Sequence, residues 1–181
     1  PQGDEIVIDL DPGAAFGTGA HATTAMCLRW LERLVCSRMR VCDVGCGSGI
    51  LAIAASKLGA GEVIAMDYDP VAVSVAEENI KQNHVTNVVA LQSDLLAACQ
   101  GMPPAELITA NIIADIIIRL FDQLDQYLAP GGVLLASGII DDRIDDVERA
   151  AKEHGFTVLD MTCEKEWAAM IIRRTADLEE A

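Results

Sequence analysis

Gly45-Cys46-Gly47-Ser48-Gly49 places three glycines in five residues, directly after the apolar run Val41–Val44 and before the apolar stretch Ile50–Leu58. Glycines between a strand and a helix permit positive φ and let a ligand lie against the backbone. The helix start adds free N–H groups and a partial positive charge. Such a loop holds a nucleotide or is only a structural turn, and the acids around it carry the decision. Asp67 stands 22 residues beyond Gly45, at the end of the next strand, where an acid accepts hydrogen bonds from both ribose hydroxyls; the plainer alternative is a solvated turn acid. Asp43 sits two residues before the first glycine. Asp94 follows the third expected strand, placed to accept from an adenine amino group.

The dinucleotide fingerprint G-x-G-x-x-G asks for a third glycine where this chain has Ile50; the spacing here is G-x-G-x-G. S-adenosyl-L-methionine carries no phosphate but does carry an ammonium and a sulfonium; an acid near the loop, Asp43, suits those cations, directly or through water, and three strand-end acids suit a phosphate-free ligand. The loop therefore points to a methyltransferase that uses S-adenosyl-L-methionine. The rivals are an NAD-type oxidoreductase and a cofactor-binding module without activity.

Thr109-Ala110-Asn111-Ile112-Ile113-Ala114 ends the fourth expected strand, the strand end that faces the transferable methyl in such a sheet. Asn111 offers an amide acceptor and donors and is the candidate catalytic residue. It can also cap the following helix, and the two roles are compatible. Residues 11–24 combine glycines, Phe16, His21 and three threonines without a hydrophobic pattern, which reads as a flap over the cofactor. Thr18 and Thr24 supply hydroxyls, and Phe16 covers an apolar edge. His21 orders the loop or removes a proton from an amine, with loop ordering preferred.

These residues need a frame. Glu5–Leu10 alternates as a short strand, and Thr23–Leu34 has helical spacing. From Arg40 onward strands and helices alternate: strands at 41–44, 62–66, 87–91, 106–110 and 133–136, helices at 50–58, 70–82, from 111 to about 128, and 141–153. Pro70 opens the second of these helices, and Pro130-Gly131-Gly132 forms a turn before the fifth strand. Phe156–Met161 and Ala168–Arg173 read as a final antiparallel pair. The fold class is α/β: a doubly wound, mostly parallel Rossmann-like sheet. The expectation is one domain over 1–181, with 1–36 giving the strand, flap loop and helix and 37–181 the core.

Composition excludes several classes. Hydrophobic residues make up 51% of the 181 and aromatics only 4%, a composition for a parallel sheet covered by helices rather than for disorder. The richest apolar stretch, Ile108–Ile118, is broken by Asn111 and Asp115 and falls short of the roughly 20 residues that span a bilayer. A formal net charge of −15 without a basic patch argues against direct nucleic-acid contact. Cys27, Cys36, Cys42, Cys46, Cys99 and Cys163 form no C-x-x-C pair and read as reduced thiols of a cytoplasmic protein. His21, His84 and His154 give no metal-ligand spacing. The start has no basic n-region, so no signal peptide is expected, and it lacks an initiator Met, as a fragment of a longer protein would.

With the 11–24 loop, the Gly45 loop, Ala65-Met66-Asp67-Tyr68-Asp69-Pro70, Ala110-Asn111-Ile112-Ile113-Ala114 and Glu164-Lys165-Glu166-Trp167 in view, the chain resembles the bacterial ribosomal protein L11 methyltransferase family (PrmA type) over nearly its whole length. The resemblance implies methylation of lysine and N-terminal amino groups on L11, a basic large-subunit ribosomal protein. It implies cofactor contacts at Thr24, Gly45, Asp67 and Asn111, with Phe16, Thr18, Gly47 and Asp94 as additions. Ala20 and Ala22 stand where the family commonly has Thr and Pro, and nothing in this chain corresponds to the family's N-terminal substrate-recognition domain; a different methyl acceptor is the alternative.

Overall fold

The computed structural model describes residues 5–11 and 20–179. Helix α1 (Ala22–Leu34) leads into β1 (Arg40–Val44), α2 (Ile50–Lys57), β2 (Glu62–Asp67), α3 (Pro70–Gln82) and β3 (Val88–Gln92). There follow β4 (Ala105–Asn111), α4 (Ala114–Tyr127), β5 (Leu128–Ile140), α5 (Ile144–Glu153), β6 (Phe156–Glu164), β7 (Trp167–Arg174) and a last short helix, α6 (Ala176–Glu179). The seven strands form one sheet in the order β3-β2-β1-β4-β5-β7-β6. Strands β1 to β5 pair in parallel, and β7 runs antiparallel to both β5 and β6. This is the expected fold class, with the C-terminal pair longer than its apolar cores indicated.

The sheet is buried on both faces, which is why its strands read as near-continuous apolar runs. Side chains alternate between two cores. Cys42, Val44, Ile64, Met66, Ile108 and Leu134 pack against Ile117, Leu120, Phe121 and Leu124 of α4 and Val147 of α5. Val41, Val63, Ala65, Leu107 and Leu135 pack on the other face against Met26 and Leu31 of α1, Ile53 of α2 and Ile80 of α3.

Three expectations are corrected. Residues 5–10 form no strand. Their backbone is held by side-chain amides of α3 instead: Asp9 N–H donates to Asn83 Oδ1 (3.0 Å), Asn83 Nδ2 donates back to the Asp9 carbonyl (2.6 Å), and Asp11 N–H donates to Asn79 Oδ1 (3.1 Å). Pro130-Gly131-Gly132 is not a turn ahead of the fifth strand but a bulge inside it: Ala105 pairs with Leu128 and Leu107 with Val133, so residues 129–132 stand opposite Glu106 alone. The helix expected from Asp141 begins as a 3-10 turn, Asp141–Arg143, before α5.

Among the described residues no helix is long and apolar enough to cross a membrane. None of their His, Cys, Asp and Glu side chains gather into a metal-binding group.

Candidate functional site

Strand β1 lies between β2 and β4, so the crossovers leaving it and entering β4 run to opposite sides. Sheets of this kind open a crevice there, beyond the strand carboxyl ends. The chain leaves β1 through Gly45, Gly47 and Gly49, at φ +70°, +52° and +81°. Gly45 is required twice over, because a Cβ there would also lie 2.3 Å from Ile112 Cγ2. The loop is fixed by Gly49 N–H on the Cys46 carbonyl (2.8 Å), by Cys46 N–H on the Met66 carbonyl (2.9 Å), and by the buried Asn79 amide donating to the Ser48 carbonyl (2.9 Å).

Asp67 closes the loop from β2. Its Oδ2 accepts Gly47 N–H (2.9 Å) and its Oδ1 accepts Asp69 N–H (3.0 Å). Each oxygen keeps lone-pair capacity for a hydroxyl, so the carboxylate is oriented rather than consumed. Asp94 lies beside it, its two oxygens each 3.4 Å from Arg119 Nη2. Both side chains are more than half exposed, so this pair is weak and leaves Asp94 able to accept from a ligand.

The crevice has two lobes that share Gly45, Gly47, Asn111, Ile112 and Ile113. The first, about 340 Å³, adds His21, Thr24, Asp43 and Trp167. The second, about 640 Å³, adds Asp67, Tyr68, Ser93, Asp94 and Arg119. The structure thus brings together Thr24, Gly45, Gly47, Asp67, Asp94 and Asn111. Phe16 and Thr18 lie outside the described residues. Asn111 ends β4 with its Nδ2 3.4 Å from Thr24 Oγ1. It does not cap α4, whose N-cap is Ile113 without a side-chain bond.

Asp43 is the electrostatic centre of the first lobe. It is 1% exposed, its Oδ1 accepts the Thr109 hydroxyl (2.7 Å), and its buried Oδ2 has no partner within hydrogen-bond distance among the described residues. Burial pushes its carboxyl up to about 6 against the pull of the Thr109 hydroxyl and the Ala52 amide, and the Asp67 charge adds to the rise. An orphaned buried carboxylate oxygen calls for a donor, and an ammonium or an ordered water beside the glycine loop supplies one. The acceptor set fits a ligand that carries an ammonium, hydroxyls and an adenine amino group. Burial also pushes the Cys46 thiol well above its ordinary range, and the Asp43 and Asp67 charges add to the rise, which disfavours a thiolate at the loop.

His21 precedes α1 directly. It caps α1: Thr23 N–H donates to Nδ1 (3.4 Å), with Thr23 Oγ1 2.9 Å away. Its ring meets Trp167 edge-on, with centroids 5.1 Å apart at 69°.

Reading the residues missed Asn79, whose only signal was a polar side chain on the apolar face of a helix. It missed Thr109, a hydroxyl inside a buried strand, and Gly138, a glycine just beyond the strand expected at 133–136 and followed by two more apolar residues. Trp167 was visible within a recognised motif but carried no role.

A family model described as ribosomal protein L11 methyltransferase (PrmA) matches residues 1–175. The ribosomal protein L11 methyltransferase of Caldanaerobacter subterraneus subsp. tengcongensis is 53% identical over 174 residues, and that of Heliobacterium modesticaldum 50% over 175. Each match covers 96% of this chain and 55% of the relative, so the chain spans about half the length of the curated relatives it matches. The crystal structure of a ribosomal protein L11 methylase from Lactobacillus delbrueckii subsp. bulgaricus is 38% identical and superposes with a TM-score of 0.88, covering 94% of this chain and 86% of that one. A precorrin-6y C5,15-methyltransferase from Geobacter metallireducens, 18% identical with a TM-score of 0.75 over 90% of this chain and 94% of that one, shares the fold.

Proposed function

The chain belongs to the ribosomal protein L11 methyltransferase (PrmA) family, and from that premise we propose that it transfers methyl groups from S-adenosyl-L-methionine to lysine and N-terminal amino groups of ribosomal protein L11. The observation that carries this reading is the unpartnered Asp43 carboxylate oxygen in a lobe that also holds the glycine loop and Asn111. A phosphate-bearing dinucleotide gains nothing from a buried carboxylate there, whereas a cationic ligand does.

When bound, the cofactor supplies a methyl group made electrophilic by its sulfonium. Asp67 and Asp94, in the larger lobe, hold the ribose hydroxyls and the adenine amino group. Asp43, Gly45 and Thr24, in the smaller lobe, hold the methionine end, and Gly47 lies where the lobes meet. Phe16 and Thr18 add cofactor contacts, as the family resemblance implies. Asn111, common to both lobes, orients the incoming amine and accepts hydrogen bonds from it as positive charge reaches the nitrogen. The protein's part is chiefly positioning, since the donor is already reactive. The partner is a basic protein rather than nucleic acid or membrane, and the compartment is the cytoplasm.

The test incubates the purified chain with methyl-labelled donor and recombinant L11. Label should appear in L11 and be lost with Asn111→Ala while S-adenosylhomocysteine still binds. Binding without label in L11 or any other lysate protein would leave a cofactor-binding module instead.

A further inference from the structure

His21 and Trp167 come from opposite ends of the chain, yet both line the lobe that holds Thr24 and Asn111. Trp167 is fixed from three directions. It pairs with Glu164 across the two-residue turn Lys165-Glu166, in which Lys165 takes a left-handed φ of +56°. It pairs with Ile140 of β5, where Asp141 N–H also donates to the Glu166 carbonyl (3.0 Å). Its ring is braced edge-on by His21. A purely structural indole would bury its ring and satisfy its N–H, as Trp30 does by donating to Thr162 Oγ1 at 3.1 Å. Trp167 is instead half-buried against a cavity. An aromatic face at that place holds positive charge by its quadrupole.

Resting on the methyl-transfer reading, we propose that Trp167 forms the acceptor-amine subsite, its indole face holding the aminoalkyl chain and stabilising the charge that builds on nitrogen. In the transfer the amine lone pair forms the N–C bond, the C–S pair stays on sulfur, and positive charge passes from sulfur to nitrogen. An indole face beside that nitrogen is stabilising for the resulting ammonium. His21 is a positioning residue. Its Nδ1 accepts Thr23 N–H, and the acceptor's own proton leaves to water. The cationic chain is drawn in by the protein's net charge of −15.

The experiment compares wild type, Trp167→Phe and Trp167→Leu for methyl transfer to L11 and for S-adenosylhomocysteine affinity by calorimetry. Leu keeps apolar bulk and removes the aromatic face. Trp167→Leu should lower kcat/KM for L11 about tenfold, Trp167→Phe no more than about threefold, and both should bind S-adenosylhomocysteine as wild type does. A second readout needs no turnover. In Trp30→Phe the only indole left is Trp167, and its emission should change saturably with a tryptophan-free trimethyllysine peptide but not with its norleucine counterpart. Equal transfer by Phe and Leu variants, a matching fall in S-adenosylhomocysteine affinity, or equal response to both peptides overturns the subsite. A wild-type chain that labels neither L11 nor any other lysate protein removes the methyl-transfer reading, and the subsite with it; intact wild-type transfer with indifferent variants removes only the subsite.

Discussion

The Cβ that Gly138 lacks would fall 2.5 Å from the carbonyl oxygen of Ile112 and 3.0 Å from its nitrogen. Gly138 sits at φ +81° in a bulge of β5, between Ser137 and Ile139, and the Ser137 carbonyl accepts Ile112 N–H at 3.0 Å. From the other side, Gly45 leaves room for Ile112 Cγ2. Ile112, the residue after Asn111, is thus clamped between two positions without side chains.

Gly138→Ala therefore strains a left-handed residue and pushes the Ile112 backbone away. It should cost about 2 kcal/mol, seen as a Tm lower by roughly 4–8 °C. Turnover should fall at least tenfold while S-adenosylhomocysteine affinity changes less than threefold, because Asn111 moves and Asp67 does not. Unchanged turnover in a folded variant would show that the clamp does not position Asn111.

Asn79 ties the glycine loop to the N-terminal segment: its Nδ2 donates to the Ser48 carbonyl, and its Oδ1 accepts Asp11 N–H. Asn79→Ala removes both bonds from a fully buried position and should destabilise the chain by about 2–3 kcal/mol in urea unfolding. S-adenosylhomocysteine affinity should fall severalfold as the loop loosens. Full affinity would mean that the glycines alone shape the loop.

His154 sits at the end of α5, its Nδ1 2.8 Å from the Ala150 carbonyl and its Nε2 3.0 Å from Asp122 Oδ1. Both partners accept, so the ring prefers both protons. The Ala150 carbonyl, with help from Asp122, raises its pKa above the ordinary histidine value against the opposing effect of burial. A raised folded pKa adds stability that is complete below the unfolded value near 6.5 and disappears as pH rises through the folded one. With Asp122 73% exposed, the effect is small. The Tm difference between wild type and His154→Gln should favour wild type at pH 5.5 and shrink by pH 8; a constant difference would count against the pairing.

The parts of the site legible from residues alone were those written into local backbone chemistry. The Gly45 loop announces positive φ, Asp67 ends an apolar run, and Asn111 interrupts one. Pro70 marked a helix start to the residue. What stayed hidden depends on register between distant segments. The alternation of 5–10 mimicked a strand because nothing local shows that Asn83 would take the backbone bonds of Asp9, and Asn79 that of the next segment at Asp11. Gly138 gains its role only because β7 inserts antiparallel beside β5, with Ser137 opposite Ala169 and Ile139 opposite Ala168. Trp167 reaches the cavity through the same insertion.

Asp43 makes the occupant of the first lobe testable by pH. Burial raises its carboxyl to about 6, so the ionised form costs stability: the contribution is complete below the unfolded Asp value near 3.9 and is lost as pH rises through about 6. A cation against the unpartnered Oδ2 reverses the balance by favouring ionisation. Affinity for S-adenosylmethionine should therefore fall below pH 6, approaching tenfold per pH unit at the steepest. Asp43→Asn should weaken binding by about tenfold at pH 7.5 and flatten that dependence, because the amide keeps an oxygen for the Thr109 hydroxyl but carries no charge. Calorimetry between pH 5 and 8 reads both. If wild type and Asp43→Asn share one pH slope, the cofactor's ammonium does not meet Asp43.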